Sequence, residues 1–385
     1  MRVGFFSPLP PARSGVADHS AELLRALEGC PDVPLGAVKV NARHDSPEFD
    51  IPLYHLGNNP LHREIYAQAL ERPGVAVLHD AVLHHFFLGA ENEREYLAEF
   101  VYNYGHWSED LARELWRRRA RSAADPEYFR YPMIKRVVQR SQAVIVHNPR
   151  AAALVEEHVK GATVHEIPLL FSEPAEMPAA PEVIRWRARL GVPAHVFLAG
   201  VFGHLRESKR LLALLRAFRR ARGSSEMILV VAGDFVSSDL ERAAEPLLRA
   251  DPAIIRLPYL DEREFWRCAA AVDACINLRY PMAGETSAIA IRLMGVGKTV
   301  LVSSGEETSR FPETACVRID PGQAEEDMLT EYLVWLARSP SDARAIGERA
   351  RDHIRAQHSP ERVARLYWQA LAGCYHKNKS AVTTV

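Results

Sequence analysis

The residues in this sequence best suited to chemistry are cations on a glycine-rich turn. The segment 200–210 follows a β-branched run and precedes a predicted helix, and it carries Arg206, Lys209 and Arg210. Backbone amides beside guanidinium and ammonium groups form a suitable site for a diphosphate. A solvated, basic helix start is the alternative that this segment alone leaves open.

A second turn offers hydroxyls, amides and a single carboxylate. The segment 279–287 also connects a predicted strand to a predicted helix. Gly284 frees the backbone there, and Thr286 and Ser287 supply the cap hydroxyls and amides that favour an anion. Glu285 is suited to accept hydrogen bonds from ligand hydroxyls. A simple helix cap is the alternative, and it leaves Glu285 unexplained.

A third turn, residues 7–19, follows the first predicted strand and ends at a helix start. Gly15 lies at that start, where its missing side chain would let a ligand approach the backbone and the helix terminus favours negative charge. An ordinary loop between a strand and a helix is the alternative.

A fourth turn holds a histidine cluster, with His79, Asp80, His84 and His85 directly after a predicted strand. Imidazole and carboxylate groups suit zinc or manganese, but residues five apart do not share a helix face. We therefore expect no metal in this turn. His79 and Asp80 are predicted to hydrogen-bond a polar ligand, and His84 and His85 to pack or to support their neighbours.

Alternating strands and helices must position these turns. Short apolar runs predict the following strands: 3–6, 35–40, 51–56, 75–78, 143–146, 196–200, 228–232, 254–257, 274–278, 300–302 and 315–319. Amphipathic stretches separate most of them, which favours parallel sheets covered by helices on both faces. In such sheets ligands bind at the carboxyl ends of the strands, where all four turns lie.

The chain is long enough for two domains, and a proline-rich stretch divides it. We predict an α/β fold with two doubly wound, Rossmann-like domains facing across a cleft. The predicted parts are an N-terminal domain (1–168), a linker (169–182), a C-terminal domain (183–358), a helix crossing back to the first domain (359–376) and a disordered tail (377–385).

Composition excludes several classes of protein. Among the 385 residues, 48 basic and 49 acidic side chains give a net charge of −1, so no global field attracts nucleic acid. Five cysteines without a CxxC pair argue against a disulfide framework and fit a reducing compartment. The short apolar start and the absence of an apolar stretch of about 20 residues predict a soluble, cytoplasmic protein.

One motif imitates a nucleotide-binding loop. Residues 295–299 read Gly-Val-Gly-Lys-Thr, but Arg292 stands where such a loop needs its first glycine. The segment also leads from a predicted helix into a strand, the reverse of the order that a phosphate-binding loop requires. ATPase or kinase chemistry is therefore excluded.

Taken together, the chain resembles the family 4 retaining glycosyltransferases of the GT-B fold over nearly its full length. The resemblance rests on Ser14–Asp18, the turn from Gly203 to Lys209, the strand end Val231–Asp234 and the turn Gly284–Ser287 leading to Met294–Lys298. It implies transfer of a sugar from a UDP- or GDP-sugar to an acceptor hydroxyl, with retention of configuration, by front-face attack and without a metal or further cofactor. A glycan, a lipid-linked sugar or a small molecule would be the acceptor.

The resemblance also implies roles for individual residues. Gly15 would contact the donor diphosphate, His79 would lie beside the transferred sugar, and Lys209 would bind the donor phosphates. The turn from Gly284 through Glu285, Thr286 and Ser287 would hold the sugar hydroxyls and the distal phosphate. The remaining predicted donor contacts are Gly203, His204, Arg206, Arg210 and the region of Pro258 and Tyr259 near the base.

Two positions depart from the family pattern. His204 replaces the usual arginine of the Gly203 turn, so Arg206 or Arg210 would supply its charge, and Arg292 stands in the place of a second glutamate. These departures leave open a non-catalytic nucleotide-sugar-binding or partner protein, and a sugar-nucleotide epimerase on the same fold.

A basic stretch between Arg113 and Arg121 has apolar residues interleaved. Such a helix can lie on an anionic membrane, as expected for a lipid-linked acceptor, whereas a solvated helix face is the commoner alternative.

Overall fold

Two six-stranded parallel sheets form the framework of the chain. The computed structural model describes residues 1–12, 14–40, 42, 43 and 45–383. Their contacts define two units: unit 1 comprises 1–170, 282–286 and the segment from 358 onward, and unit 2 comprises 171–281 and 287–357.

Unit 1 is built on a sheet with the strand order β2-β1-β3-β4-β5-β6. Its strands are β1 Val3–Phe6, β2 Val38–Val40, β3 Ile51–Leu56, β4 Val75–Leu78, β5 Ala143–Val146 and β6 Val164–Glu166. Alternate residues of β3 face opposite cores: Ile51 and Leu53 pack on one side, and Tyr54 and Leu56 on the other. Both faces are therefore buried, as the continuous apolar runs predict.

Helices cover both faces of this sheet. They are α1 Gly15–Glu28, α2 Arg63–Glu71, α3 His84–Ala90, α4 Glu93–Tyr104, α5 Glu109–Arg118, α6 Lys135–Arg140 and α7 Pro149–His158. The chain between α4 and α5 turns at Gly105, where φ is +89°.

Unit 2 has the strand order β12-β11-β10-β7-β8-β9. Its strands are β7 Phe197–Phe202, β8 Met227–Ala232, β9 Ile254–Leu257, β10 Ala274–Asn277, β11 Thr299–Ser303 and β12 Val317–Ile319. Its helices are α8 Ala180–Arg189, α9 Leu211–Arg222, α10 Ser238–Arg249, α11 Glu262–Ala271, α12 Ala288–Gly295, α13 Glu325–Arg338 and α14 Pro340–Gln357. The first helix of this unit begins inside the segment expected to be a linker.

The last helix, α15 Pro360–Thr383, belongs to unit 1. Its residues Val363 and Tyr367 are buried in the same core as Leu23 and Leu27 of α1. The tail that we expected to be disordered from 377 is helical up to Thr383, with no glycine or proline after Gly373 to end the helix. Residues 384 and 385 lie outside the described residues.

The expected doubly wound α/β architecture is confirmed, with small differences at the sheet edges. β2 begins only at Val38, because Gly36 adopts φ +69° in a turn closed by the bond from Ala37 N to Pro34 O. β6 was not predicted, since a short, half-buried edge strand has almost no apolar signal.

The residues that imitate a nucleotide-binding loop pack inside unit 2. Lys298 Nζ donates hydrogen bonds to the carbonyl oxygens of Ala270 at 2.7 Å and Val272 at 2.8 Å, and α12 leads into β11. The lysine is thus held by backbone oxygens rather than offered to a phosphate. All five cysteines are free and buried. Among the described residues, no helix combines the length and apolar character needed to cross a bilayer.

Candidate functional site

Two glycines bring the carboxyl ends of β7 and β8 into close contact. Gly203 follows β7 with φ +81°, and Gly233 follows β8 with φ +134°. A Cβ atom on Gly233 would lie 2.3 Å from the Gly203 carbonyl oxygen, so a larger residue would displace the backbone. Leu205 N donates to Asp234 O at 2.8 Å, which fixes the course of the turn.

This turn directs Lys209 back toward the end of its own strand. Lys209 Nζ donates to Phe202 O at 2.7 Å and would lie 3.2 Å from a Cβ atom on Gly203. Burial, and then the neighbouring charges of Arg279 and Arg206, lower the pKa of Lys209 well below its usual value. Among the residues the structure describes, no carboxylate pairs with this ammonium group, so an anion would be strongly favoured beside it.

Arg279 is a cation of this region that the sequence analysis did not select. It lies two residues after the end of β10, and its Nη2 lies 3.4 Å from Ser287 Oγ. Ser287 caps α12 by accepting a hydrogen bond from Ala290 N at 3.3 Å. Arg279 directly follows the predicted strand 274–278 and begins the segment 279–287. This position after a strand end was the sequence signal that could have identified it.

Arg206 and His204 complete the edge of the turn. Both side chains are exposed, and Arg206 forms no ion pair within the described ranges. Burial, then the charges of Arg206 and Lys209, lowers the pKa of His204, and Asp234 opposes this effect. Because the imidazole of His204 is uncharged, Arg206 supplies the exposed positive charge of the turn.

Arg210, by contrast, has an internal partner. Its guanidinium donates from Nε at 2.9 Å and from Nη2 at 2.6 Å to Glu325 Oε2, and the Glu325 side chain is 1% exposed. A carboxylate this deeply buried needs a paired cation. Arg210 therefore holds α9 against α13, whereas the sequence suggested that it binds the donor.

The segment 282–286 belongs to unit 1, where the ends of β4 and β5 hold it. Val82 N donates to Ala283 O at 3.0 Å, and Asn148 Nδ2 donates to Gly284 O at 2.9 Å and to Thr286 Oγ1 at 3.0 Å. The Thr286 hydroxyl donates in turn to His147 O at 3.2 Å. Asn148 was missed by the sequence analysis, although it also caps α7 by accepting from Ala151 N at 2.9 Å.

Gly284 and Glu285 give this segment its shape. Gly284 has φ +69°, and a Cβ atom there would lie 2.7 Å from Ala81 Cβ. Glu285 Oε2 accepts a hydrogen bond from Ala283 N at 2.6 Å, which closes the turn on itself. The carboxylate thus has a structural hydrogen bond in addition to the ligand contact that the sequence suggested.

Gly15 lies at the start of α1 beside the cap residue Ser14, whose hydroxyl accepts from Ala17 N at 3.1 Å. Apart from its chain neighbours and its own helix backbone, a Cβ atom on Gly15 would meet no atom of the described residues within 4 Å. The free chain therefore has no steric need for glycine at this position.

Two other predicted positions occupy different settings. Tyr259, with Pro258 before it, follows β9; its side chain is 57% exposed, and its backbone N donates to Asp234 Oδ1 at 3.2 Å. Arg292, in the place expected for a second glutamate, stacks its guanidinium over Phe265 and Trp266 and bonds to Glu262. Its role is to hold α12 against α11.

His79 lies in a buried histidine cluster, composed of His19, His55, His79 and His147. His79 Nε2 lies 2.9 Å from His55 Nδ1, and its Nδ1 lies 3.3 Å from His147 Nε2. His147 Nδ1 donates to Ile167 O at 2.8 Å. His84 points elsewhere, with its Nε2 2.8 Å from Tyr96 Oη, so the expected packing role fits His84.

Burial keeps these imidazoles neutral. It lowers the pKa of His19 to about 3 and that of His147 to about 4, with His147 adding to the effect on His19. The pKa values of His55 and His79 are also well below the usual range, again mainly through burial. One nitrogen each from His19, His79 and His147 lies within 4.8 Å of the others, an arrangement that could hold a metal ion.

The basic stretch between Arg113 and Arg121 coincides with α5 and the turn after it. Ala112, Leu115 and Trp116 are buried in the core of unit 1, so the apolar face of the helix is already covered. Arg113 pairs with Glu109, and Arg118 with Glu114. Any contact with a membrane would therefore be electrostatic.

Solved structures provide the comparison with known proteins. The chain is similar to HepE from Anabaena in complex with UDP and glucose, with a TM-score of 0.67 at 15% identity over 97% of this chain and 100% of that chain. It is also similar to sucrose-phosphate synthase from Thermosynechococcus elongatus, with a TM-score of 0.67 at 16% identity over 97% of this chain and 100% of that chain. A third similar structure is WaaG, a glycosyltransferase involved in lipopolysaccharide biosynthesis, with a TM-score of 0.59 at 14% identity over 94% of this chain and 98% of that chain.

No family model matches the sequence, and no curated protein matches it significantly. At these identities the structural similarity establishes the fold alone. The chain has the GT-B fold of these glycosyltransferases, as its two parallel six-stranded sheets indicate.

The contrast between Arg210 and Arg206 yields a stability prediction. Arg210→Ala leaves the buried Glu325 carboxylate uncompensated and should lower the free energy of unfolding by about 2–3 kcal/mol, less than for a fully buried pair because Arg210 is 35% exposed. Arg206→Ala should change it by less than about 0.5 kcal/mol. Urea unfolding of both variants checks this, and equal losses would contradict the assignment of Arg210 as the structural cation.

Proposed function

We propose that this protein is a glycosyltransferase that moves a sugar from a nucleoside diphosphate sugar to an acceptor hydroxyl. The observation that carries the proposal is the cluster of Lys209, Arg206 and Arg279 at the carboxyl ends of β7 and β10 in a GT-B fold. Among the described residues, Lys209 bonds to a carbonyl oxygen and to no carboxylate, and burial, then the charges of Arg279 and Arg206, lowers its pKa. A donor diphosphate supplies that charge.

Sugar transfer requires stabilisation of the leaving diphosphate. Cleavage of the sugar–phosphate bond passes through an oxocarbenium-like state and leaves negative charge on the diphosphate. Lys209 and Arg279 would neutralise that charge together with the amino terminus of α12, at which Ser287 lies. Our proposal is transfer with retention by front-face attack, as the resemblance to family 4 implies. The acceptor oxygen bonds to the sugar carbon on the side from which the diphosphate leaves, and the departing phosphate oxygen takes the proton of the acceptor hydroxyl.

The remaining residues would orient the donor. Gly15 would offer its backbone to the diphosphate, because in the described part of the chain no atom beyond its neighbours and its own helix lies within 4 Å of its Cβ position. Glu285 and Thr286 would hold sugar hydroxyls, and the exposed ring of Tyr259 would lie against the base of UDP or GDP. The contact of His79 with the transferred sugar rests on the family resemblance and stays a prediction.

Loss of Lys209 should abolish most transfer, and loss of Glu285 should weaken binding of the donor. Lys209→Ala removes a cation from the leaving group and should lower kcat at least about 100-fold, the typical effect of one lost electrostatic donor. Glu285→Ala should mainly raise KM for the donor. The measurement is release of UDP or GDP from a panel of nucleotide sugars, with and without acceptors.

Arg220→Ala serves as the matched control, because Arg220 is exposed on the same helix that follows the Lys209 turn and pairs only with exposed Asp327. Activity of the Lys209→Ala protein within two-fold of that control would remove the basis of the proposal. Donor binding without release of nucleotide would indicate a non-catalytic protein, and a changed donor configuration without acceptor would indicate an epimerase.

The lowered pKa of Lys209 predicts a pH dependence of nucleotide binding. A lysine whose pKa lies below its usual value loses its charge at a lower pH, so affinity for UDP or GDP should fall as the pH rises from 7 to 10. Lys209→Arg keeps its charge throughout and should flatten the profile. Calorimetric titration at several pH values measures this, and parallel profiles would exclude Lys209 as the phosphate ligand.

Binding to an anionic surface is a separate proposal, for the case of a lipid-linked acceptor. Since the apolar face of α5 is buried, the exposed Arg117 and Arg121 would make the contact, and salt should abolish it. We expect sedimentation with phosphatidylglycerol vesicles at low salt only. The double variant Arg117→Ala/Arg121→Ala should no longer sediment with the vesicles. The control Arg242→Ala/Arg249→Ala, on α10, should still sediment. Equal sedimentation of the two double variants would refute the contact.

A further inference from the structure

Three histidines from distant parts of unit 1 meet in its interior. His19 lies in the first turns of α1, His79 directly follows β4, and His147 directly follows β5. Their exposed fractions are 8%, 9% and 6%, and one ring nitrogen of each lies within 4.8 Å of the other two. Within the described histidine, cysteine and acidic side chains, these three histidines form a group that could hold a metal ion.

The hydrogen bonds orient two of the rings toward a common point. His147 donates from Nδ1 to Ile167 O at 2.8 Å, so its Nε2 is unprotonated and presents its lone pair to the other rings. That Nε2 lies 3.3 Å from His79 Nδ1, while the other nitrogen of His79 is 2.9 Å from His55. A backbone or side-chain partner on the outer nitrogen is the arrangement that usually fixes a metal-binding imidazole.

The burial of the His19 ring is not explained by hydrogen bonds alone. Its Nε2 is buried and has no partner among the described residues. Its ring centre lies 5.1 Å from that of His79 and 5.7 Å from that of His147. An unsatisfied polar nitrogen in a buried site costs about 1–3 kcal/mol, which a ligand at this point would recover.

We propose that His19, His79 and His147 bind a divalent transition-metal ion of the zinc class. Nitrogens around tetrahedral zinc lie about 3.4 Å apart, because Zn–N distances are about 2.0–2.1 Å. The separation of 3.3 Å between His79 and His147 already fits this spacing. His19 needs a side-chain movement of about 1 Å to close the widest separation of up to 4.8 Å.

The donor set selects the class of metal. Neutral imidazoles suit zinc, cobalt, nickel and copper, whereas magnesium and calcium require oxygen ligands. Three protein ligands leave a fourth position open for water or another molecule. Such an ion would join the start of α1, which carries Gly15, to the ends of β4 and β5.

The inference is independent of sugar transfer, because it concerns the interior of unit 1 and not the Lys209 turn of unit 2. It assigns His79 as a ligand that positions the β4 end. This differs from the sugar contact that the family resemblance implies. Metal binding and transferase activity can therefore fail or succeed separately.

Cobalt binding to the full chain without an affinity tag tests the proposal. We expect one Co²⁺ per chain with visible absorption bands of tetrahedral cobalt, displaced by Zn²⁺. His19→Gln and His147→Gln should weaken binding at least tenfold. His195→Gln, at an exposed histidine of unit 2, is the control and should bind as the parent does.

His19→Gln is the decisive variant, because His19 Nε2 has no hydrogen bond to lose and the fold should persist. Circular dichroism and thermal unfolding without metal verify this. Thermal unfolding with Zn²⁺ adds a readout that needs no activity: the parent should gain stability and His19→Gln should not. No cobalt bands in the parent, or equal binding by His19→Gln, would show that the rings form only a hydrogen-bond chain.

Discussion

The candidate site depends on the buried ammonium group of Lys209 at a strand end of unit 2, which has no acidic partner among the described residues. Lys209 donates to the Phe202 carbonyl oxygen, and the guanidinium groups of Arg279 and Arg206 raise the local potential. Burial makes this arrangement costly in the free protein, which is why the pKa of Lys209 is lowered. The same cost makes an incoming diphosphate favourable, because its negative charge would stabilise the buried ammonium group.

Acidic residues decide which cations remain available to a ligand. Arg210 stands next to Lys209 in sequence, but buried Glu325 accepts hydrogen bonds from its Nε and Nη2 and makes it part of the α9–α13 contact. Arg292 is likewise engaged within the protein, because it bonds to Glu262 and stacks on two aromatic rings. A basic turn thus contains both structural and ligand-binding cations, and their partners distinguish them.

Burial has a different consequence in unit 1, where it keeps four imidazoles neutral. Neutral rings present lone pairs, and the hydrogen bond from His147 to Ile167 O determines which nitrogen faces inward. The segment 282–286 is held nearby by Asn148 and by the carbonyl oxygen of His147. The ends of β4 and β5 therefore support both the histidine cluster and the turn that carries Glu285.

Local patterns in the sequence were sufficient for the strands, the parallel sheets and the turns at the strand ends. Short apolar runs and glycine placement are properties of neighbouring residues, so β1, β3, β4 and β5 were predicted with their observed bounds. The sequence also located Gly203, Lys209 and Gly284. Only the tertiary structure showed that Arg210 pairs with Glu325, 115 positions away, and that His19 and His147 meet His79. Such pairs depend on how distant elements pack, and no local spacing encodes that distance.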